Sequence, residues 1–182
     1  MEYFRMVDEN DNVIGRIGSD EPISDYKQIR FANAILFKGD KIIVPKRTMT
    51  KKLYPGRYDY SGGGHVNYGE SYLEAIVREM KEELGIDIFD VQEVAYLNPF
   101  IDDVGCFSRF FIAKYDENQE INYSPEEVAS IHFFTVDEIL GMIDENPSMF
   151  KPDYIVAFKK YLRQISNDVK LNKSDELARK LK

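Results

Sequence analysis

Three glutamates in one segment have the type and the spacing to bind a divalent metal ion. Glu79, Glu82 and Glu83 lie between Ser71 and Gly85. At about 100° per residue of an α-helix, their side chains fall within about 100° of one another. Carboxylates this close repel each other, and a hard cation such as Mg²⁺ or Mn²⁺ would offset that repulsion. A solvated acidic helix face is the alternative interpretation of these three residues alone.

The same segment carries the start, the stop and the apolar face of a helix. Ser71 followed three residues later by Glu74 is a capping box, and Gly85 suits a left-handed C-cap. Apolar residues recur at spacings of three and four, which is typical of one buried helical face: Leu73, Ile76, Val77, Met80 and Leu84. We therefore predict a helix that follows a glycine-rich loop and points its glutamates away from this apolar face.

The spacing within this segment resembles a known family motif. From Gly64 to Ile86 the chain has glycine, five residues, glutamate, seven residues, Arg-Glu, an apolar residue, any residue, Glu-Glu, any residue, glycine and an apolar residue. This pattern resembles the Nudix box at every specified position. Three consecutive glycines end at its first position, and they would permit close backbone approach to a ligand or a metal.

The resemblance implies both a fold and a reaction. The family fold is an α/β (α+β) Nudix-type α/β/α sandwich with a mixed, curved sheet. Family members typically hydrolyse a nucleoside diphosphate linked to another moiety X, using Mg²⁺ or Mn²⁺. The implied metal ligands are three carboxylates and one backbone carbonyl: Glu79, Glu82, Glu83 and Gly63. The resemblance also implies that Glu70 assists through a water and that Arg78 positions the box glutamates.

The general base of the implied reaction has two sets of candidates. Within the box, Glu82 or Glu83 could take the proton of the attacking water, because carboxylates can act as such bases. In many family members a later loop supplies the acid, and here Glu126 and Glu127 precede a predicted strand in the corresponding place. We predict Glu127 from this pair. A solvated acidic loop is the alternative for both residues.

A local basic cluster could bind the phosphates of a substrate. Residues 45–55 contain four lysines and arginines, although the whole chain carries a net charge of −8. Lysine and arginine both bind phosphate, and a solvated loop is the alternative interpretation. The cluster consists of Lys46, Arg47, Lys51 and Lys52, with Tyr54 beside them. The predicted substrate-binding residues come from this cluster and from the glycine segment: Lys46, Arg47, Lys52, Tyr54 and His65.

A second resemblance narrows the branch and raises an alternative reaction. Residues 54–71, with the hairpins before them, look like the Nudix proteins related to isopentenyl diphosphate isomerase, which moves a double bond with a cysteine and a glutamate. The position of that cysteine is Gly63 here, and the only cysteine, Cys106, lies in a predicted strand as a structural thiol. Hydrolysis is therefore the leading prediction. An isomerase-like enzyme and a non-catalytic Nudix-fold binding module are the alternatives, although such modules usually lose box acids and none is lost here.

Composition limits the binding partners and the cellular locations that we expect for this protein. A net charge of −8 argues against general nucleic-acid binding and against binding to an anionic membrane. The chain has no apolar run of about 18 residues and no apolar signal-peptide core at its start. A single cysteine fits a reducing compartment, so we expect a cytoplasmic enzyme that acts on a small-molecule diphosphate. The N-terminal hairpin could pair across subunits of a homodimer or simply extend the sheet.

The expected organisation is one domain followed by a tail. Residues 1–165 form the domain, and residues 166–182 form a charged tail. Within the domain we predict an N-terminal hairpin in 1–20, a core in 30–145 and a C-terminal helix in 152–165. A short helix at 136–143 is capped by Thr135 and Glu138. The predicted strands of the core lie at 33–37, 41–44, 58–60, 91–97, 106–115 and 131–135.

Overall fold

A computed structural model describes the backbone of residues 2–180 and the side chains of residues 2–25 and 27–166. Its strands, in chain order, are β1 Tyr3–Val7, β2 Val13–Gly18, β3 Arg30–Lys38, β4 Lys41–Arg47, β5 Gly62–His65, β6 Gln92–Leu97, β7 Phe107–Lys114 and β8 Val128–Thr135. Its α-helices are α1 Tyr72–Leu84, α2 Val136–Glu145 and α3 Pro152–Lys180, and short 3-10 helices lie at Tyr26–Gln28 and Pro147–Met149. None of the helices described is long and apolar enough to cross a membrane.

The main sheet is mixed, and its strands run in the order β6-β7-β3-β4-β8. β3 pairs in parallel with β7, and the other neighbouring strands are antiparallel. The opposite edge of β3 is shared, because Phe31–Ala34 pair with β5 and Leu36–Lys38 pair with β4. Beyond Ile43, β4 leaves β3 and stays paired with β8, while Lys46 on its other side bridges Tyr58 in the segment before β5.

Helices cover both faces of the sheet, as the α/β/α prediction requires. Alternate side chains of a strand point to opposite faces, so Ala32, Ala34 and Leu36 of β3 pack with α1. Ile35 lies between them in the chain and packs instead with α2 and α3. Two apolar clusters form in this way, one on each side of the sheet. The predicted sandwich with a mixed sheet is confirmed.

The ends of α1 follow the prediction. Ser71 Oγ accepts a hydrogen bond from Glu74 N at 3.2 Å, and Glu74 Oε2 accepts one from Ser71 N at 2.7 Å. Gly85 ends the helix with φ of 71°, which suits a residue without a Cβ. The same pair of reciprocal bonds joins Thr135 and Glu138 at the start of α2.

The buried face of α1 differs from the predicted one. Leu73 and Val77 are 46% and 38% exposed, whereas Tyr72 and Ala75 are buried with the rest of the stripe. The helix is thus rotated about its axis relative to the expectation. As a result, Glu79 and Glu83 lie against β5, and only Glu82 of the three glutamates is largely exposed. The prediction that all three point away from the buried face was therefore wrong.

Three further expectations about local structure differ from the structure. The glycine segment is not a loop, because Gly62–His65 forms β5 and pairs with β3. Residues 58–60 form no strand, since Tyr58 makes only isolated bridges, with Lys46 and with Phe150. α3 also continues to Lys180, beyond the predicted end at residue 165. The division into a domain at 1–165 and a tail at 166–182 stays a prediction, and residues 181–182 lie outside the described part of the chain.

The N-terminal hairpin packs on the body of its own chain. Arg5 N donates to Val66 O at 3.2 Å, and Tyr68 N donates to Tyr3 O at 2.7 Å. At the far end of the hairpin, the carboxylate of Asp11 is bound by groups of three different elements. These groups are the side chains of Arg30, Tyr72 and Tyr96. The hairpin therefore extends the fold within one chain, and the homodimer stays a prediction.

Candidate active site

One cleft of about 980 Å³ collects most of the predicted site residues. Its lining includes Arg47 at the end of β4 and Gly63, Gly64 and His65 of β5. One wall is formed by β5 and α1, and a second wall by residues of the 47–54 and 124–127 loops. The third wall contains residues 103–108 and the start of α3. Predicted site residues on this surface are Arg47, Tyr54, Gly63, His65, Arg78, Glu79, Glu82, Glu83 and Glu127.

Close contact between β5 and α1 depends on glycine. A Cβ at Gly64 would overlap the carboxylate of Glu79, and a Cβ at Gly63 would overlap the side chain of Asn33. Without these atoms, Gly63 N comes within 3.1 Å of Glu83 Oε2 and donates a hydrogen bond to it. Because these positions of β5 are glycines, α1 can bring Glu79 and Glu83 against the sheet.

Arg78 connects the glutamates of the box. Its guanidinium donates to Glu70 through Nε at 3.2 Å and Nη2 at 2.8 Å. Nη1 donates to Glu79 at 2.7 Å and to Glu82 at 3.1 Å. Nη2 also donates to the backbone carbonyl of His65 at 3.0 Å. A planar fork with five N–H groups can bind several acceptors at fixed angles, and here it orients three carboxylates at once.

Two of the glutamates are unusually buried. Burial raises the pKa of Glu83 well above its ordinary value near 4.5, and the nearby carboxylates of Asp59 and Glu79 raise it further. Burial also raises the pKa of Glu79, although Arg78 opposes this shift. Glu82 is more exposed, with 54% of its side chain accessible. Burial therefore destabilises the charged forms of Glu79 and Glu83 in the folded protein.

This donor set fits a hard divalent cation. Within the described residues, no three acidic, histidine or cysteine side chains stand close enough together to hold a metal ion, and Arg78 is hydrogen-bonded to both Glu79 and Glu82. Repelled, buried carboxylates are nevertheless stabilised by a cation, and carboxylate and carbonyl oxygens are the ligands that Mg²⁺ and Mn²⁺ prefer. The assignment of Glu79, Glu82, Glu83 and Gly63 as ligands stays a prediction.

Glu70 lies behind the cleft surface. Glu70 Oε1 accepts a hydrogen bond from Asn67 N at 2.6 Å, and both carboxylate oxygens accept from Arg78. Glu70 therefore acts on the other glutamates through the orientation of Arg78. Its predicted help through a water is not tested by this geometry.

The basic cluster divides into residues inside and outside the cleft. Arg47 lines it, but its guanidinium is bound to Asp59 at 2.7 Å and to Leu53 O at 3.2 Å. Lys46 is not part of the lining, and its ammonium lies 5.7 Å from the ring centre of Tyr58. Lys52 is exposed and also lies outside the lining. The predicted phosphate clamp is therefore not assembled by Lys46 and Lys52.

Lys51 and Glu127 form an ion pair on the cleft surface. The sequence did not distinguish Lys51 from its neighbour Lys52, because both are lysines in one loop. Glu126, the other predicted base, lies outside the lining and is exposed. The cleft thus contains the preferred member of the glutamate pair, and its role as a base stays a prediction.

His65 is part of an aromatic wall. Its ring stacks on Phe4 with the ring centres 4.2 Å apart, and it meets the edge of Phe31 at 4.8 Å. Burial, together with Lys151 and Arg78, lowers the pKa of His65 to about 4. The imidazole is therefore uncharged at neutral pH, and it offers an aromatic surface instead of a cation to a substrate.

Several residues of the cleft were not predicted from the sequence. Lys151 is buried, and its ammonium lies 3.2 Å from Asp59 and 3.5 Å from Asp153. Asn33 is also buried, and it donates to Ser108 Oγ at 2.7 Å. The contacts of Lys151 with Asp59 and of Asn33 with Ser108 join residues that are far apart in the chain, and no local pattern marks them.

The environment of Cys106 differs from the prediction. This residue lies just before β7 instead of within a strand, and it is partly exposed on the cleft surface. Burial nevertheless raises the pKa of its thiol to about 12. At neutral pH Cys106 is therefore a thiol, which is a weak nucleophile.

Comparisons with known proteins agree with this fold. Residues 27–154 match the NUDIX domain family. A Nudix hydrolase of Deinococcus radiodurans is 30% identical over 145 residues, covering 78% of this chain and 84% of that protein. A Nudix hydrolase of Streptomyces coelicolor is 33% identical over 162 residues, covering 86% of each protein.

Solved structures give the same result. The crystal structure of DR0079 from Deinococcus radiodurans has a TM-score of 0.80 and 27% identity, covering 88% of this chain and 99% of that chain. The MutT Nudix hydrolase from Burkholderia pseudomallei has a TM-score of 0.59 at 18% identity, covering 72% and 96%, and shares the fold.

The chain therefore belongs to the Nudix family, as its box indicated. It is a Nudix hydrolase, an enzyme class that acts on pyrophosphate bonds in small-molecule diphosphates and generally uses divalent metal ions. The predicted branch near isopentenyl diphosphate isomerase is not tested by these matches and stays a prediction.

Proposed function

We propose that this protein is a Mg²⁺- or Mn²⁺-dependent hydrolase. Its substrate is a nucleoside diphosphate linked to X or a related diphosphate, and the pyrophosphate bond is cleaved. The observation that carries the proposal is that Glu79, Glu82 and Glu83 all line one cleft beside Arg78, which hydrogen-bonds to the first two. Gly63 brings its backbone to the same place.

The charge of the cleft supports a requirement for metal. Acidic side chains outnumber basic ones by seven to four among the lining residues, and His65 is neutral. A pyrophosphate would be repelled by such a surface, because like charges in a partly desolvated cleft interact strongly. A bound divalent cation would neutralise phosphate charge and lower the pKa of a bound water.

The residues of the cleft then have distinct roles. The carboxylates of Glu79, Glu82 and Glu83, with the carbonyl of Gly63, would hold the metal ion. Arg78, itself oriented by Glu70, keeps the box carboxylates in place. Glu127 is the preferred base and takes a proton from the attacking water. Arg47, Tyr54 and His65 contribute to the substrate surface, whereas Lys46 and Lys52 are left out because they lie outside the cleft lining.

The alternative functions have less support. The isomerase-like reaction needs a thiol at the position of Gly63, and a side chain there would overlap Asn33. The thiol that does line the cleft, Cys106, has a pKa of about 12. A non-catalytic binding module is disfavoured because every acid of the box is present. The single free cysteine suits the cytoplasm, which we propose as the location.

The test is a screen of the purified protein against pyrophosphate compounds, with Mg²⁺, with Mn²⁺ and with a chelator. The panel contains nucleoside triphosphates, nucleotide sugars, dinucleotide cofactors, thiamine diphosphate and isopentenyl diphosphate. Metal-dependent cleavage of one class is the expected result. Isomerisation of isopentenyl diphosphate without any cleavage would instead favour the isomerase.

A matched pair of variants links the activity to the site. Glu82→Gln removes a predicted metal ligand and is expected to lower kcat at least about a hundredfold. Glu74→Gln removes a carboxylate from the same helix but can retain the capping box, because glutamine also serves there. It is expected to keep normal activity. Full activity of Glu82→Gln would refute the proposed site.

A further inference from the structure

The ion pair between Lys51 and Glu127 differs from the other ion pairs of the cleft. Both side chains line the cleft and are 26% and 38% exposed, and the difference lies in the number of partners of the cation. The structure gives Lys51 a single carboxylate partner in the described part of the chain. Ion pairs this exposed contribute little to stability, so separating the two side chains is easy.

The remaining cations of the cleft are more firmly held. Arg78 binds three carboxylates and one carbonyl. Arg47 binds Asp59 and a backbone carbonyl, and Lys151 is buried between two aspartates. Separating a cation from several acceptors, or a buried ammonium from its partners, costs more than separating one partly exposed pair. Lys51 is therefore the cation of the cleft that can change partner at the smallest cost.

The backbone holds both members of the pair in place. Thr48 N donates to Glu127 O at 3.3 Å, and Thr48 Oγ1 donates to Glu126 O at 3.1 Å. Lys51 N donates in turn to Thr48 O at 3.4 Å. These bonds join the basic loop to the acidic loop, so the side chains can part while their backbones stay together.

The acidic loop is also attached to the metal-site helix. Ser124 N donates to the carbonyl of Glu83 at 2.9 Å, and Glu127 N donates to the carbonyl of Ser124 at 3.1 Å. The pair is thus tied to the C-terminal end of α1. A diphosphate bound beside the box glutamates would lie within the same cleft as the ammonium of Lys51.

We propose that Lys51 exchanges its partner when substrate binds, leaving Glu127 for a phosphate oxygen of the substrate. This inference rests on the proposed function. A phosphate carries more charge than a carboxylate and competes for the ammonium. The freed carboxylate of Glu127 then accepts a proton from water, as the water oxygen bonds to phosphorus and the bond from phosphorus to the bridging oxygen breaks. The carboxylate of Glu127 thus leaves its ion pair with Lys51 only when a substrate phosphate is present.

Binding of imidodiphosphate, a diphosphate analogue that resists hydrolysis, tests the exchange without turnover. Calorimetry in Mg²⁺ compares Lys51→Met with Lys52→Met, its exposed neighbour. The first variant is expected to weaken binding roughly tenfold, as a lost charged hydrogen bond would. The second is expected to change it by less than about twofold. Equal effects of the two variants would overturn the assignment of Lys51.

The second part of the test removes the carboxylate of Glu127, which competes with the phosphate for Lys51. Glu127→Gln frees Lys51, so imidodiphosphate is expected to bind about threefold to fivefold more tightly, whereas Glu126→Gln is expected to have no effect. A purely structural role of the pair would instead weaken binding. In the double variant Lys51→Met/Glu127→Gln, the gain from Glu127→Gln disappears, because the two residues act on each other.

The outcomes separate this inference from the proposed function. Wild-type hydrolysis of a diphosphate in the presence of metal, with no tighter binding in Glu127→Gln, would overturn the exchange and leave the hydrolase intact. Tighter binding in Glu127→Gln, lost in the double variant, would support the exchange whatever substrate the screen identifies. Failure of the wild-type protein to bind imidodiphosphate would overturn the exchange directly.

Discussion

The guanidinium of Arg78 lies 2.7 Å from the carboxylate of Glu79, and the same guanidinium binds Glu70 on its other side. Replacing Arg78 by lysine would keep the charge but lose the planar fork, so one ammonium could not orient both carboxylates. We expect Arg78→Lys to lower kcat about 10- to 100-fold, as is usual for groups that orient metal ligands. Steady-state kinetics on the best substrate of the panel would measure this. Lys81→Met, an exposed change on the same helix, is the control and should have little effect.

Glu83 makes the stability of the metal-free protein depend on pH. Its pKa is raised above 4.5 in the folded protein, so between the unfolded and the folded pKa the folded state binds more protons than the unfolded chain. Stability from this group is present below about pH 4.5 and is lost as the pH rises through the raised pKa. Thermal unfolding in a chelator should therefore show a steeper loss with rising pH for wild type than for Glu83→Gln. Parallel curves for the two proteins would contradict this.

Asp11 is expected to hold the N-terminal hairpin. It forms an ion pair with Arg30 at 2.6 Å and accepts hydrogen bonds from Tyr72 and Tyr96, and the side chains of the ion pair are only 11–13% exposed. Asp11→Asn should lower the free energy of unfolding by about 1–3 kcal/mol, since it leaves charged or polar partners buried. Urea unfolding measures the change. Glu9→Gln, in the same loop and exposed, should leave stability unaltered.

His65 is expected to titrate at an unusually low pH. Burial among cations lowers its pKa from 6.5 to about 4, so the unfolded chain binds the proton first as the pH falls. The resulting stability is fully present above about pH 6.5 and is lost as the pH falls toward 4. A titration of the imidazole by NMR, assigned with His65→Gln, would measure the midpoint. A midpoint near 6.5 would show that the ring is solvated and not packed on Phe4.

Gly64 should tolerate no side chain. A Cβ there overlaps the carboxylate of Glu79, so Gly64→Ala should displace that carboxylate and lower kcat about tenfold or more. Gly141, in α2, has open space around its Cβ position. Gly141→Ala should keep full activity and raise stability by about 0.5–1 kcal/mol, because alanine favours the helix. Circular dichroism would verify that both variants fold.

Local spacing was enough to predict the parts of the fold that depend on neighbours in the chain. The capping boxes at Ser71 and Thr135, and the C-cap at Gly85, were all predicted from the sequence. Each depends on backbone groups within four residues, so the sequence alone specifies them. The box pattern likewise predicted the helix and the family, because its spacing is itself a local property.

Tertiary packing decided the rest. The rotation of α1 buries Ala75 and exposes Leu73, and the helix periodicity alone cannot show which side meets the sheet. Likewise, the sequence of the basic loop does not distinguish Lys51 from Lys52. In the structure, only Lys51 of the two forms an ion pair with Glu127, across loops that hydrogen bonds join. Contacts of this kind join residues distant in the chain, and their energies depend on burial and on partners that only the folded molecule brings together. The sequence by itself thus determined the helix, its caps and the family, whereas the tertiary structure decided which charges face the cleft.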